Sequence, residues 1–285
     1  MNLLLTGATG FVGSYILEQL INTGHRITIM KRAGSDTRRI NRYLDNITAI
    51  EDIRSINNSE VFDCIIHAAT SYESENFGGS NIIEANITLP VNLLDYAIKN
   101  NCTKFINIST FIAKYEKNPP NRYALTKRHI EEWGAYYSKN FTLNFINVVL
   151  HQVYGSGDNN SKFIPWIIDQ LKSNVESVNL TEGMQERDFV HVVDVARAIN
   201  LIVDHKHFNN YEEYEVCSGK TITIKEFVKK IKKITNSSTN LNFGNIAYRD
   251  NEIMTLKTDS SKLRGLGWNP SVTFDMGITK ILSEI

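Results

Sequence analysis

Apolar and polar positions in the first half of the chain alternate between two periods. Asn2–Leu5 is a short apolar run that enters a glycine turn. Phe11–Thr23 then carries apolar residues at 12, 16, 17, 20 and 21, the spacing of one helix face. Arg26–Met30, Asp63–His67, Lys104–Ile108 and Leu143–Leu150 read as further strands. Ile82–Lys99, apolar at 82, 83, 87, 89, 93, 94 and 98, and Tyr123–Ser138 read as helices. Strands that alternate with helices predict an α/β fold with a doubly wound parallel sheet. After Tyr154 the character changes. Gly155–Asn160 is a loop by composition, and shorter mixed elements follow. Two lobes are therefore expected, 1–154 and a smaller α/β lobe 155–285, with part of 187–204 packing back on the first sheet.

Composition changes this picture only by exclusion. The 285 residues are 42% hydrophobic and 22% charged, enough for a sizeable core. Lys+Arg and Asp+Glu both number 31, so no global field favours nucleic acid or an anionic membrane, and an anion site has to be built locally. The N-terminus lacks a basic segment and its apolar run is three residues long, which predicts no secretory leader. No run approaches a membrane span. Cys64, Cys102 and Cys217 have neither metal-ligand spacing nor a disulfide framework, and read as buried residues of a reducing, cytoplasmic compartment.

The candidate chemistry starts at the first turn. Thr6-Gly7-Ala8-Thr9-Gly10-Phe11-Val12-Gly13 follows a strand and opens a helix. Glycines at this spacing let backbone N–H groups and a helix N-terminus approach a pyrophosphate, so a dinucleotide is expected here. A site for NAD usually has an acid after the second strand to hold the ribose 2′-hydroxyl. Here Lys31-Arg32 follow instead, two cations suited to a 2′-phosphate, which points to NADP(H). Asp36 is the nearest acid and lies past the strand end. Further on, Tyr123 and Lys127 stand at i, i+4 on one helix face. A lysine ammonium beside the tyrosine is expected to lower its pKa and make it an acid/base near neutrality. Thr110 ends the strand upstream, its hydroxyl suited to a substrate carbonyl oxygen.

With these pieces in order, the chain resembles the extended short-chain dehydrogenase/reductases, which join a Rossmann-type domain to a smaller substrate lobe. The resemblance implies Thr110, Tyr123 and Lys127 as the catalytic set. It puts Gly7, Thr9, Gly10, Phe11, Val12, Gly13, Ala68, Ala69, Asn86, Ile108, Tyr123 and Lys127 beside the cofactor, with Asp52 and Ile53 at the adenine. Val153–Asp158, Arg187-Asp188-Phe189-Val190-His191-Val192 with Asp194, and Leu266-Gly267-Trp268-Asn269-Pro270 are similar to segments of the nucleotide-sugar epimerases and dehydratases of that family. In that subgroup an arginine contacts the diphosphate, which implies this role for Arg187 and, by a second similar segment, for Arg249. Gln152, Lys162 and Phe163 fall at substrate positions, with Gln152 and Lys162 where the subgroup often has Asn and Val149 where it often has Arg.

Dehydratases of the subgroup carry an acid pair after the catalytic threonine. Phe111-Ile112 stand there and cannot transfer a proton. Segments 162–169, 185–189 and 249–254, with Thr110–Lys114, resemble reductases of the 4-ketone of CDP-linked 3,6-dideoxyhexuloses, enzymes of deoxysugar biosynthesis for surface polysaccharide such as lipopolysaccharide O-antigen. Two other readings stay open: a nucleotide-sugar 4-epimerase that recycles its cofactor, and a non-catalytic NADP(H)-binding sensor. Only 13 positions separate Thr110 from Tyr123, a short connection for this family. The helices 82–99 and 123–138 resemble a pair that forms a dimeric four-helix bundle, so a homodimer is implied.

Overall fold

The short apolar runs of the first half become strands because nearly every position is buried on both faces. Leu3, Leu4, Leu5, Ile65, Ile66, Phe105, Ile106, Phe145 and Ile146 all have no exposed surface. A computed structural model describes residues 1–56, 61–72, 80–114 and 121–284. Its elements in chain order are β1 (Asn2–Thr6), α1 (Phe11–Asn22), β2 (Arg26–Met30), β3 (Thr48–Ile50), β4 (Cys64–His67), α2 (Ser80–Ile83), α3 (Leu89–Lys99), β5 (Lys104–Thr110), α4 (Arg122–Asn140), β6 (Asn144–Leu150), β7 (Gln152–Tyr154), α5 (Phe163–Lys172), β8 (Ser177–Leu180), β9 (Glu186–His191), α6 (Val192–Asp204), β10 (Tyr211–Val216), β11 (Thr221–Thr223), α7 (Ile224–Ile234), β12 (Asn240–Phe243), α8 (Ser261–Gly265) and α9 (Phe274–Glu284). The short Thr110–Tyr123 connection runs through 115–120, which lie outside the described residues.

The main sheet has the order β10-β6-β5-β4-β1-β2-β3. From β3 to β6 its neighbours run parallel, in the doubly wound arrangement of a Rossmann fold. The strand order reverses at β1 and β4, so the loops after these two strands flank a crevice at their carboxyl ends, where such sheets bind ligands. Leu4, Phe62, Ile65, Leu93, Leu94, Phe105, Ile130 and Phe145 form one core cluster here.

The helix expected over 82–99 is interrupted. A π turn, Glu84–Thr88, separates α2 from α3. Pro90 gives the reason: it has no N–H for the carbonyl four residues back, and its ring would clash there, so the helix widens before it.

The described residues fall into two compact units. The first is Met1–Leu150 with Val195–Glu215, and the second is His151–Asp194 with Val216–Ile285. The division thus comes at Leu150 rather than near 154, because β7 leaves the large sheet and pairs with β9 in a three-stranded sheet, β11-β9-β7. Residues 195–215 return to the first unit, where the buried Lys104 ammonium donates to the carbonyls of Val203 and His205, each at 2.7 Å. The second unit builds its own core from α5, α7, α9 and the small sheets, with Tyr154, Ile167, Phe189, Phe227 and Ile278 at its centre. In α7, Phe227, Val228 and Ile231 are buried while Lys229, Lys230 and Lys233 face out. Each such burial contributes roughly 1.5–3 kcal/mol. Among the described residues no helix is long and apolar enough to cross a membrane.

Candidate active site

The glycine loop is shaped by close backbone approach. Gly7 has φ +72°, and a Cβ on it would lie 2.5 Å from the Ala69 nitrogen. A Cβ on Gly13 would lie 2.0 Å from the Gly7 carbonyl oxygen. Gly7 therefore packs the loop onto Ala68–Ala69, and Gly13 packs α1 onto the loop. Gly10 is the N-cap of α1, and α1 has neither a side-chain cap nor an acid in its first turn. A helix start of this kind suits an anion. Thr6 ties the ends of β1 and β4: its hydroxyl oxygen accepts from the Ala69 N–H at 3.2 Å and lies 3.0 Å from His67 Nδ1. His67 is fully buried, and burial pushes its pKa well down, so the ring is neutral. Thr9, Phe11 and Val12 are half-buried along this loop.

The segment after β2 keeps its cations and neutralises its acid. Lys31 is half-buried and Arg32 is exposed. The Arg38 guanidinium grips Asp36 through both carboxylate oxygens, Oδ1 at 3.1 Å and Oδ2 at 2.7 Å, and holds that carboxyl down at about 2. Arg39 Nη1 reaches the Thr9 carbonyl at 3.4 Å, bringing a further cation to the loop. The glycine loop and this basic segment fit a dinucleotide.

Lys127 and Tyr123 are brought together with Thr110. The Tyr123 hydroxyl hydrogen-bonds with Thr110, Thr70 and Tyr72, and its ring lies 4.8 Å from the Tyr72 ring, centroid to centroid. Lys127 is 2% exposed and donates to the Ile108 carbonyl at 2.9 Å. The expected lowering of the Tyr123 pKa is not what this geometry produces. Burial is the largest effect and pushes the phenol well above its ordinary value. Tyr72 adds to it, against the pull of Thr110 and Thr70. The Lys127 nitrogen sits 6.0 Å from the Tyr123 ring centroid because its chain extends past the ring to the strand. Burial in turn pushes Lys127 down to about 8, opposed by the charge of Glu131.

Two residues expected beside the cofactor are also engaged within the chain. Asn86, 1% exposed in the π turn, accepts from the Ser71 N–H at 2.8 Å and the Thr70 hydroxyl at 3.2 Å. It donates to the Ser71 carbonyl at 2.9 Å and to the Thr126 hydroxyl at 3.0 Å. Its amide is spent on holding 70–71, and with it Thr70, against α4. Asp52 caps the turn Ile53–Ser55 and takes the Arg54 guanidinium at 2.9 and 3.0 Å, so its carboxylate serves the turn. Ile53 is half-buried beside it.

In the second unit the structure brings Arg187 to the segment that carries Arg249. Arg187 donates to the Glu186 and Ile253 carbonyls, both at 2.7 Å, and pairs with Glu252, while the Glu252 N–H donates to the Arg249 carbonyl at 3.1 Å. Arg249 itself is exposed. Gln152 is half-buried on β7, in register with Phe189 on β9. Lys162 pairs with Asp158 at 2.8 Å at the start of α5, and Phe163 lies 6.1 Å from Trp166, both 36% exposed.

Sequence reasoning missed several supporting residues. Asp188, with no exposed surface, accepts from the N–H groups of Ser218, Gly219 and Lys220 at 2.7, 2.8 and 3.1 Å. Asp194 accepts from Ser271 and Val272, and its carbonyl accepts from the Trp268 indole at 3.0 Å. Thr70, Ser109 and Glu131 belong with them, and Thr6 reads in the sequence only as the start of the glycine loop. A polar residue in an apolar context was the only available signal for most of them.

Comparison with known proteins places this geometry. The model of the NAD dependent epimerase/dehydratase family matches residues 3–217. CDP-abequose synthase of Salmonella typhimurium strain LT2 is 35% identical over 293 residues, covering 99% of this chain and 97% of the relative. CDP-abequose synthase of Yersinia pseudotuberculosis is 27% identical, covering 89% and 91%. Among solved structures, UDP-glucuronic acid 4-epimerase from Bacillus cereus, in complex with UDP-glucuronic acid and NAD, superimposes with a TM-score of 0.85 at 22% identity, covering all of both chains. That likeness is one of fold.

Proposed function

The chain belongs to the NAD dependent epimerase/dehydratase family, and on that footing we propose that it is an NADPH-dependent reductase of the C4 ketone of a nucleotide-linked 4-keto-deoxyhexose, with CDP as the nucleotide. The observation that carries this reading is the 35% identity to CDP-abequose synthase across 99% of the chain. Phe111 and Ile112 agree with it, since they leave Thr110 without the neighbouring acids that elimination requires. The neutralised Asp36 beside Lys31, Arg32 and Arg39 favours a 2′-phosphate over a free ribose hydroxyl.

When bound, the dinucleotide supplies the hydride. The residues of the chain supply the rest. Burial keeps Tyr123 protonated at neutral pH, as a proton donor in a reduction must be. Tyr123 gives its proton to the C4 oxygen, and the Thr110 hydroxyl hydrogen-bonds to the same oxygen. The Lys127 charge stabilises the phenolate left on Tyr123 until solvent restores its proton. Arg187 and Arg249, with Gln152 and Lys162, are assigned to the nucleotide diphosphate. Phe163 is assigned to the substrate as well. For Arg187 this requires exchanging part of its present pairing with Glu252 for phosphate oxygens.

We assign the protein to the cytoplasm as a homodimer. Leu125, Trp133 and Tyr136 form an exposed apolar stripe on α4, at 38%, 42% and 55% exposure, which a second copy would cover. The test of function is loss of NADPH absorbance with CDP-4-keto-3,6-dideoxyglucose, with NADH as control. Stoichiometric loss is expected. Bound cofactor with no net loss would move the assignment to the 4-epimerase.

A further inference from the structure

Three consecutive residues at the end of β5 are each tied to α4. The Ile108 carbonyl takes Lys127, and Thr110 hydrogen-bonds with Tyr123. Between them, the Ser109 hydroxyl donates to Glu131 Oε1 at 2.5 Å. Tyr123, Lys127 and Glu131 stand at i, i+4 and i+8, one stripe of the helix. Glu131 is 8% exposed, and a carboxylate so deep stays charged only with partners. Its other oxygen, Oε2, lies 3.2 Å from the Lys114 ammonium. Lys114 also pairs with Glu213 on β10, which accepts from Asn147 at 3.0 Å. Asn147 accepts in turn from Asn107 at 2.8 Å.

We propose that Glu131 is a positioning residue: its buried carboxylate holds the strand end that carries Thr110 against α4, and provides the negative charge beside which Lys127 keeps its ammonium. Lys114 is the counter-ion that lets Glu131 sit there. The mechanistic consequence rests on the reductase reading above, but the interaction itself does not. The groups facing Lys127 are Glu131 and Tyr123 on α4 and the neutral His67 on β4. Those facing Glu131 are Ser109, Lys114, Glu213 and Tyr211. Glu131 is the acid among those that act on Lys127, and it opposes the burial that drives the ammonium toward neutrality.

The experiment is an NMR titration of the Lys127 side chain in the full chain, with lysine labelled at Cε and the signal assigned by its loss in Lys127→Arg. It needs neither substrate nor turnover, so failure of the reductase assignment leaves it intact. Glu131→Gln keeps the acceptor for Ser109 and removes the charge. Its Lys127 midpoint is expected about one pH unit lower than that of the unchanged chain, a tenfold shift in the ionisation equilibrium. Ser109→Ala leaves the charge and is expected to leave the midpoint in place. In turnover, the alkaline limb of the kcat/KM profile should follow the Glu131→Gln shift. A Glu131→Gln midpoint coincident with that of the unchanged chain overturns the proposal. If that variant does not fold, Glu131→Asp, which keeps the charge but draws it back from Lys127, is expected to lower the midpoint by less; a midpoint that stays or rises overturns the proposal equally, and a fall supports it.

Discussion

The two units use buried polar groups in different ways. In Met1–Leu150 with Val195–Glu215, a group of buried polar side chains lies around the carboxyl ends of the strands: Thr6, His67, Asn86, Ser109, Lys127 and Glu131. They hold one another and leave the Tyr123 and Thr110 hydroxyls linked at the site. In the second unit, the most deeply buried charges, Asp188 and Asp194, accept backbone N–H groups from the 218–220 and 271–272 segments. The difference teaches how to read a motif. A polar residue of the first unit's cluster aligns the groups around the Tyr123 and Thr110 hydroxyls, whereas Lys104, elsewhere in that unit, only ties backbone carbonyls. A motif acid in the second is a brace that shapes a loop, although both stand out equally in the sequence.

The comparison breaks most visibly at Tyr123. Tyr123→Phe should lower turnover about 10²–10⁴-fold, the contribution of a positioned acid, while NADPH affinity, read by fluorescence, is retained. Most of the activity surviving would remove the first unit's claim to the chemistry. Next in size is an alkaline effect confined to that unit. Lys127 is held at about 8, below its ordinary 10.5, so the unfolded chain binds more protons between these values and stability rises with pH across that window. Against Lys127→Met, which carries no buried charge, the natural chain should gain up to roughly 3 kcal/mol from pH 8 to 10.5 in urea titrations. A difference between the two that stays constant with pH would mean the ammonium is not buried in a low-dielectric site.

The brace in the second unit sharpens the contrast. Asp188→Ala should cost about 1–3 kcal/mol of stability, because it strands buried N–H groups of residues 218–220, and calorimetry would register it as a lower Tm. Unchanged stability would mean Asp188 is kept for a ligand. Smallest is the cofactor effect. Lys31→Ala with Arg32→Ala should reduce the preference for NADPH over NADH by about tenfold, the loss of roughly one charge-assisted contact. An unchanged ratio would leave the discrimination to Arg39.

Much of the first unit was legible because its signals are local. β2 falls at the expected residues, Arg26–Met30, since a parallel strand buried on both faces writes a continuous apolar run. The glycine loop was legible because Gly7 and Gly13 answer to backbone approaches within a single turn. The interruption at 84–88 was missed although Pro90 was in view, since a helical apolar spacing continues through it. The roles of Asn86 and Asp188 were not legible. Each depends on backbone groups whose proximity no spacing along the chain encodes.

What the sequence determined by itself is therefore the parallel sheet, the glycine turn that opens α1, and the Tyr123–Lys127 pair on one helix face, each set by periodicity and short-range sterics. The tertiary structure alone decided which way the Tyr123 pKa moves, where the first unit ends, and which buried acids face the chemistry. These outcomes depend on burial and on partners brought from distant segments, Glu213 to Lys114 and Ser218 to Asp188, and a protonation state follows the surroundings of a residue rather than its neighbours in the chain.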